Sequence, residues 1–230
     1  MVINHFSFNL FHENTILLWN EGAEDCIVID PGFSNCNEKK EFYDYLQKEK
    51  LKPVAILLTH GHIDHIFGVK HLQDKFKIPV FLHPEDKETM KIFDKQLGLL
   101  KAFAPNINFI TTDVADGQII PIGKFTIKVI HTPGHSPGSV CYLVQDEELG
   151  FLFSGDTLFN MSIGRTDLAG GNYDDEIRSI MEKIIWLDPD LILVPGHGST
   201  STIGEQRSKN PFLEPWGEKE EIECEDNSCS

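Results

Sequence analysis

The segment THGHIDH places four side chains able to bind a metal, His60, His62, Asp64 and His65, within six residues. They come directly after an apolar run, Val54 to Thr59, that reads as a buried strand. A loop at a strand end can turn several side chains toward one point outside the sheet edge. Shuffling this composition would produce His-x-His-x-Asp-His roughly once in a thousand tries, so a merely solvated polar loop is the weaker reading. The cluster therefore asks for a fold in which a strand ends at this loop and a helix carries the chain away.

The flanking sequence alternates accordingly. Val2 to Leu10, Thr15 to Trp19 and Cys26 to Asp30 are short β-favouring runs, giving a hairpin-rich opening. Residues 36 to 50 change to helical spacing at Phe42, Tyr45, Leu46 and Glu49. Beyond the motif, Val69 to Phe76 reads as a helix, Val80 to Leu82 as a strand and the segment after Pro84 as another helix. A second series follows, with strands at Phe125 to His131, Ser139 to Val144 and Phe151 to Ser154, a helix at Asp174 to Leu187 and a strand at Leu191 to Val194. The stripe Ile177, Ile180, Met181, Ile184 is expected to face a core. No linker divides the series, so residues 1–216 are read as one α/β domain and residues 217–230 as an acidic, unpacked tail.

Charge narrows the partners. The 36 acidic against 20 basic side chains give a formal charge of −16, which repels phosphate backbones and anionic lipid. Neither nucleic acid nor membrane is expected as a partner. Part of the excess sits in the tail, where Glu218, Glu220, Glu221, Glu223, Glu225 and Asp226 face only Lys219. The N-terminus lacks a basic segment followed by an apolar run, and no eighteen apolar residues are contiguous, so the expected location is cytoplasmic. Five cysteines, Cys26, Cys36, Cys141, Cys224 and Cys229, form an odd, sparse set expected to be reduced.

Three later positions extend the ligand cluster: His135 in HTPGHSPGS, Asp156 in FLFSGDTLF and His197 in LILVPGHGS. Each follows a β-like run and is preceded by Gly, which lets the backbone turn sharply at a strand end. Imidazole and carboxylate donors suit zinc, iron and manganese, and the lack of a nearby cysteine points to an open, reactive site rather than a closed structural one. So many donors crowd a single ion and raise the question of a second. The remaining histidines, His5, His12, His71, His83 and His131, have no ligand-like partners in sequence and are expected in surface or core roles.

Together THGHIDH, the two PGH segments, SGD and VIDPG at residues 28 to 32 resemble the metallo-β-lactamase-fold hydrolases, over nearly the whole chain. Within them, GDTLFNMSIGRTDLAGG and GHGSTSTIGEQRSKNPFL are most similar to the short hydroxyacylglutathione-hydrolase (glyoxalase II) type. The resemblance implies a four-layer αβ/βα sandwich, two mixed sheets flanked by helices, with two divalent ions at one edge. It implies His60, His62 and His135 for one ion, Asp64, His65 and His197 for the other, Asp156 as a bridge, and Asp30 in support of the ligand loop. Zinc is the expected ion, with iron or manganese as alternatives.

Two such ions can share a water and lower its pKa toward about 7, so a bridging hydroxide attacks while an ion polarises the substrate carbonyl. Asp64, a ligand that also orients the hydroxide, and the bridging Asp156 are the expected catalytic residues. A small-molecule thioester suits this apparatus because its thiolate leaves easily. The longer glyoxalase II enzymes add a helical domain that grips glutathione, and where they carry Lys-x-Tyr this chain has Arg165-Thr166-Asp167. Arg165 is the candidate partner for a substrate carboxylate, with a structural ion pair as the alternative. The competing activity is that of a mononuclear-iron persulfide dioxygenase, which resembles the chain at the same motifs and would use His60, His135 and Asp156. β-Lactam hydrolysis and RNA processing fit the sequence less well.

Overall fold

A computed structural model describes residues 1–96, 106, 108–147 and 149–213. The acidic tail, with Cys224 and Cys229, lies outside the described residues.

Three strands, β1 (Val2–Phe8), β2 (Glu13–Trp19) and β3 (Asp25–Ile29), form an antiparallel meander. After helix α1 (Cys36–Glu49) the sheet continues in parallel through β4 (Lys52–Leu57), β5 (Val80–Leu82) and β6 (Thr112–Asp113), giving the order β1-β2-β3-β4-β5-β6. Helices α2 (Ile63–Ile66) and α3 (Val69–Phe76) connect β4 to β5, and α4 (Asp86–Gln96) follows β5. The second sheet holds β7 (Ile119–Ile122), β8 (Phe125–His131), β9 (Val140–Gln145), β10 (Gly150–Gly155), β13 (Ile192–Pro195) and β14 (Ser201–Thr202), in the order β14-β13-β10-β9-β8-β7. A small ribbon, β11 (Leu158–Phe159) with β12 (Ser162–Ile163), leads to α5 (Tyr173–Ser179), and α6 (Ile203–Lys209) is the last element among the described residues. The short strands β6, β7, β11, β12 and β14, and helix α6, carry too few residues to show a period and are additions to the sequence reading.

The period-2 alternation of the strands builds the layers. On β2, Leu17 and Trp19 face the helices α1 and α3, while Ile16 and Leu18 face the other sheet. On β9, Val140, Tyr142 and Val144 meet them from the second sheet, and Cys141 and Leu143 turn outward to the last helices. Strands covered on both sides read as continuous apolar runs, as ILLW and VCYLV do. The result is helix, sheet, sheet, helix: a four-layer α/β sandwich with two mixed sheets. Among the described residues, no helix is long and apolar enough to cross a membrane.

One expected helix divides. Instead of running from Asp174 to Leu187, α5 ends at Ser179 and a π-helical turn spans Ile180–Ile184, closed by Ile185 N–H donating to Ile180 O at 2.9 Å. The extra residue in that turn lets Ile180, Ile184 and the adjacent Ile185 all enter the outer core, with Ile177 and Met181 packed at its border.

Two hydrogen bonds tie the sheets together beside the His60 loop. Val140 N–H donates to Thr59 O at 2.8 Å, and the fully buried Tyr142 hydroxyl donates to Leu58 O at 2.9 Å. Tyr142→Phe removes the second bond and leaves a buried carbonyl short of a donor. It is expected to lower stability by about 1–3 kcal/mol, seen as a lower urea midpoint at unchanged slope.

Candidate metal centre

Every candidate ligand lies at one edge of the sandwich because each follows the end of a strand directed there. Asp30 follows β3, His60 follows β4, His135 follows β8, Asp156 follows β10 and His197 follows β13. The motif is not open loop throughout, since α2 winds Asp64 and His65 into a short helix that begins just after His62. Gly155 adopts φ +51° against Thr59, and a Cβ at Gly196 would run into Asp156 Oδ1 and His65 Cε1. The glycines before Asp156 and His197 are thus required by the closeness of the site itself, beyond the sharp turn.

The donors fall into two groups, His60–His62–His135 and Asp64–His65–His197, each with candidate ligand atoms within 4.8 Å of one another. Asp156 stands between them. Its Oδ2 lies 3.4 Å from His135 Nε2 and 3.5 Å from His197 Nε2, while Oδ1 lies 3.5 Å from His65 Nε2. Asp64 Oδ2 lies 3.3 Å from His197 Nε2, and His62 Nδ1 lies 2.8 Å from His135 Nε2. Two donors on a tetrahedral ion with bonds of 2.0–2.1 Å sit about 3.3 Å apart, so the spacings of 3.3 to 3.5 Å fit shared cations, while His62 and His135 stand closer, at hydrogen-bond distance.

Outer contacts set the tautomers. The Nδ1–H of His60 meets Thr59 Oγ1 at 3.0 Å, that of His65 meets Asp30 Oδ2 at 3.0 Å, that of His135 meets Arg165 O at 2.7 Å and that of His197 meets Phe11 O at 3.0 Å. Each ring therefore turns its Nε2 lone pair inward, as a metal ligand requires. His60 Nε2, His65 Nε2 and Asp156 Oδ1 are buried there without a hydrogen bond, atoms that a cation would satisfy. A third grouping, Asp30–His60–His65, is geometrically close. Asp30, however, already accepts from Thr59 N–H at 2.8 Å, Thr59 Oγ1–H at 2.6 Å and His65 Nδ1–H, so its oxygens are engaged in holding the ligand loop.

The electrostatics ask for positive charge. Burial pushes His60 and His62 below the ordinary imidazole range, and neighbouring imidazoles push them further, leaving neutral rings. Burial would also lower His65 and His197, yet the carboxylates around them, Asp64 and Asp156 above all, draw both upward. Asp64 is held well below the usual carboxylate range against the cost of burial, chiefly by His65. Two aspartates among five imidazoles suit divalent cations.

A cavity of about 480 Å³ opens on His62, Asp64, His135, Asp156 and His197. Arg165 lies on its rim, where its guanidinium is held by Asp167 in a two-pronged pair at 2.7 and 2.8 Å. The structure thus shows the ion-pair alternative for this residue. Its carbonyl also fixes His135, a contribution no sequence pattern indicates.

Some of the other histidines do meet a potential ligand partner: His83, Glu85 and His131 form a further donor group, away from the others. The two rings stack face to face at 4.0 Å and 13°, which keeps their in-plane lone pairs parallel, and His131 Nε2–H donates to Pro137 O at 2.9 Å. They serve as packing between the two halves.

Three residues that sequence reading missed hold the ligand loops. Fully buried Asp86, at the start of α4, accepts from Gly61 N–H at 2.6 Å and Ser136 Oγ–H at 2.8 Å on one oxygen, and from Gly138 N–H at 2.7 Å and Thr89 Oγ1–H at 3.2 Å on the other. It clips the His60–His62 loop of one half to the His135 loop of the other. Glu176 of α5 accepts from His135 N–H at 2.8 Å, and burial pushes its carboxyl up to about 9, so it is protonated at neutral pH. Asn14 of β2 donates through Nδ2 to Pro195 O at 3.0 Å and Gly198 O at 2.8 Å, bracketing His197.

Asp86→Asn, which halves the acceptor capacity of the clip, is expected to weaken metal binding about 10–100-fold, measured by competition with a chromophoric chelator. Glu176→Gln keeps an acceptor and no charge, so its metal affinity should stay within about threefold of wild type while Glu176→Ala falls about 10–100-fold.

This geometry has counterparts in known proteins. The model of the Metallo-beta-lactamase superfamily matches residues 9–197. Hydroxyacylglutathione hydrolase GloC of Haemophilus influenzae is 32% identical over 210 residues, covering 88% of this chain and 93% of that one. The crystal structure of BLEG-1 B3 metallo-beta-lactamase superposes with a TM-score of 0.83 at 37% identity, covering 93% of this chain and 100% of that one. That of TTHA1623 in a di-iron-bound form gives 0.76 at 32% identity, covering 91% and 100%. With its four layers, its strand-end ligands and these relatives, the chain belongs to the metallo-beta-lactamase superfamily.

Proposed function

We propose that the chain is a metal-dependent hydrolase acting on a thioester of the hydroxyacylglutathione kind. The observation that carries this reading is the pair of donor groups, with Asp156 between them, forming one wall of an open cavity. His60, His62 and His135 would hold one divalent ion, Asp64, His65 and His197 the other, and Asp156 both. The donor set suits zinc, and it also accepts iron or manganese. Bound there, such ions supply an acidified water and polarise a carbonyl oxygen.

The chain's own residues set the geometry. Asp64, kept ionised by His65 and His197, is a weak base and a good hydrogen-bond acceptor, so it orients the attacking water rather than removing its proton outright. Asp156, at the middle of the donors, anchors both halves of the site. Thr59, Asp30 and the carbonyls of Arg165 and Phe11 keep the imidazoles aimed, which keeps reorganisation during the reaction small. A thiol of pKa about 8.5 leaves as thiolate without a dedicated proton donor, which favours a thioester over an amide. The hydroxyacylglutathione hydrolase named among the relatives supports the same class.

The test is metal content per chain together with initial rates on S-lactoylglutathione, a lactone, a β-lactam and glutathione persulfide. Two ions per chain and fastest turnover of the thioester are expected, and His197→Ala should lower that turnover by more than about a hundredfold, beyond what loss of a supporting contact does. A single iron with oxygen-consuming persulfide turnover that survives His197→Ala would overturn the reading in favour of the dioxygenase. Preference for the β-lactam would overturn the substrate class.

A further inference from the structure

We propose that the cavity beside the two donor groups is an acyl slot, and that the chain selects its thioesters by an apolar acyl chain rather than by an anionic group. The inference rests on the hydrolase reading and deepens it. Around the ligand side chains, the wall of the 480 Å³ cavity is made by Phe11, Ile63, Phe159, Ile163 and Leu168. That volume lies in the range of small-molecule sites. Phe159 stands edge-on to His197, ring centroids 6.3 Å apart at 78°, so the apolar wall begins at the donors themselves. Phe11 is joined to the site through its carbonyl on His197 Nδ1, which leaves its exposed ring to cover whatever lies against the donors.

The charge pattern argues the same way. Among the described lining residues Arg165 carries the single lysine or arginine charge, and Asp167 grips it in two hydrogen bonds at 2.7 and 2.8 Å. A substrate carboxylate that took Arg165 would replace one carboxylate with another and gain little. A methylene moved from water onto the apolar wall gains about three- to fourfold in kcat/KM. Specificity is therefore carried by chain length, with Phe11, Phe159 and Leu168 as its determinants and Asp167 as the residue that cancels attraction for anions.

The experiment uses the metal-loaded protein and N-acetylcysteamine thioesters of acetyl, butyryl, hexanoyl and octanoyl groups, with the succinyl thioester as the anionic arm. The expected result is a kcat/KM that rises about three- to fourfold per methylene from acetyl to hexanoyl, with succinyl slower than butyryl. Leu168→Asn and Phe11→Ala should each reduce the increment per methylene. Non-hydrolysable ketones, with a methylene in place of the sulfur, give a second readout by titration calorimetry: tighter binding with chain length and a negative heat-capacity change. A flat or falling series among thioesters that are hydrolysed overturns the acyl slot and leaves the hydrolase reading intact. So does a succinyl preference lost in Arg165→Ala. If neither these thioesters nor S-lactoylglutathione is hydrolysed, the hydrolase reading fails, and the ketone series still decides whether the slot binds apolar chains.

Discussion

Burial of the two inner sheet faces against each other is the constraint on which the site depends. Ile16, Leu18, Ile27, Ile29 and Leu57 from one sheet interlock with Ile127, Val140, Tyr142, Phe151, Phe153 and Val194 from the other. A slip of one residue in any of these strands would turn its apolar side chains to the wrong face, so the register is strongly fixed. With register fixed, the ends of β4, β8, β10 and β13 arrive together at one edge. Donors as far apart in the chain as Asp64 and His197, 133 positions, then stand 3.3 Å from one another. No single loop could achieve this, because loop backbone is too mobile to hold ligands without a rigid scaffold behind it.

The price of that convergence is a buried polar layer directly behind the donors. Asp30, Asp86, Glu176 and Glu13 are all buried. Isolated, each would be strongly unfavourable; Asp30, Asp86 and Glu176 are instead threaded into hydrogen bonds with the loops that carry the ligands, and Glu13 accepts from Thr15 Oγ1–H at 2.9 Å within β2. Glu176 relieves burial by remaining protonated, and Asp86 does so by collecting four donors. The layer converts two half-sites, one from each sheet, into a single rigid wall. The clip at Asp86 spans both halves, so the geometry of the first ligand loop and that of His135 are mechanically coupled.

Much of this was legible in the chain. His60, His62, Asp64 and His65 stood out because such a cluster is improbable for this composition, His135, Asp156 and His197 because each follows a Gly at the end of a β-like run, and the alternation of strands and helices pointed to an α/β fold. Asp86, Glu176 and Asn14 were not legible, because a lone polar residue at a helix start or strand edge looks the same whether it faces solvent or supports a ligand loop. Short strands such as β6 and β14 escaped notice since two residues establish no period. The π-helical turn at Ile180 escaped for a related reason: its hydrophobic stripe is compatible with an ordinary helix, and only packing against the second sheet decides the extra residue.

By itself, the sequence determined which side chains could act as ligands and that they would sit at strand ends, since both follow from local composition and periodicity. The tertiary structure alone decided which nitrogen of His60, His65, His135 and His197 faces inward, that Arg165 is claimed by Asp167, and that Asp86 joins the two halves. Those outcomes depend on contacts between residues tens of positions apart, and such contacts exist only once the two sheets have packed.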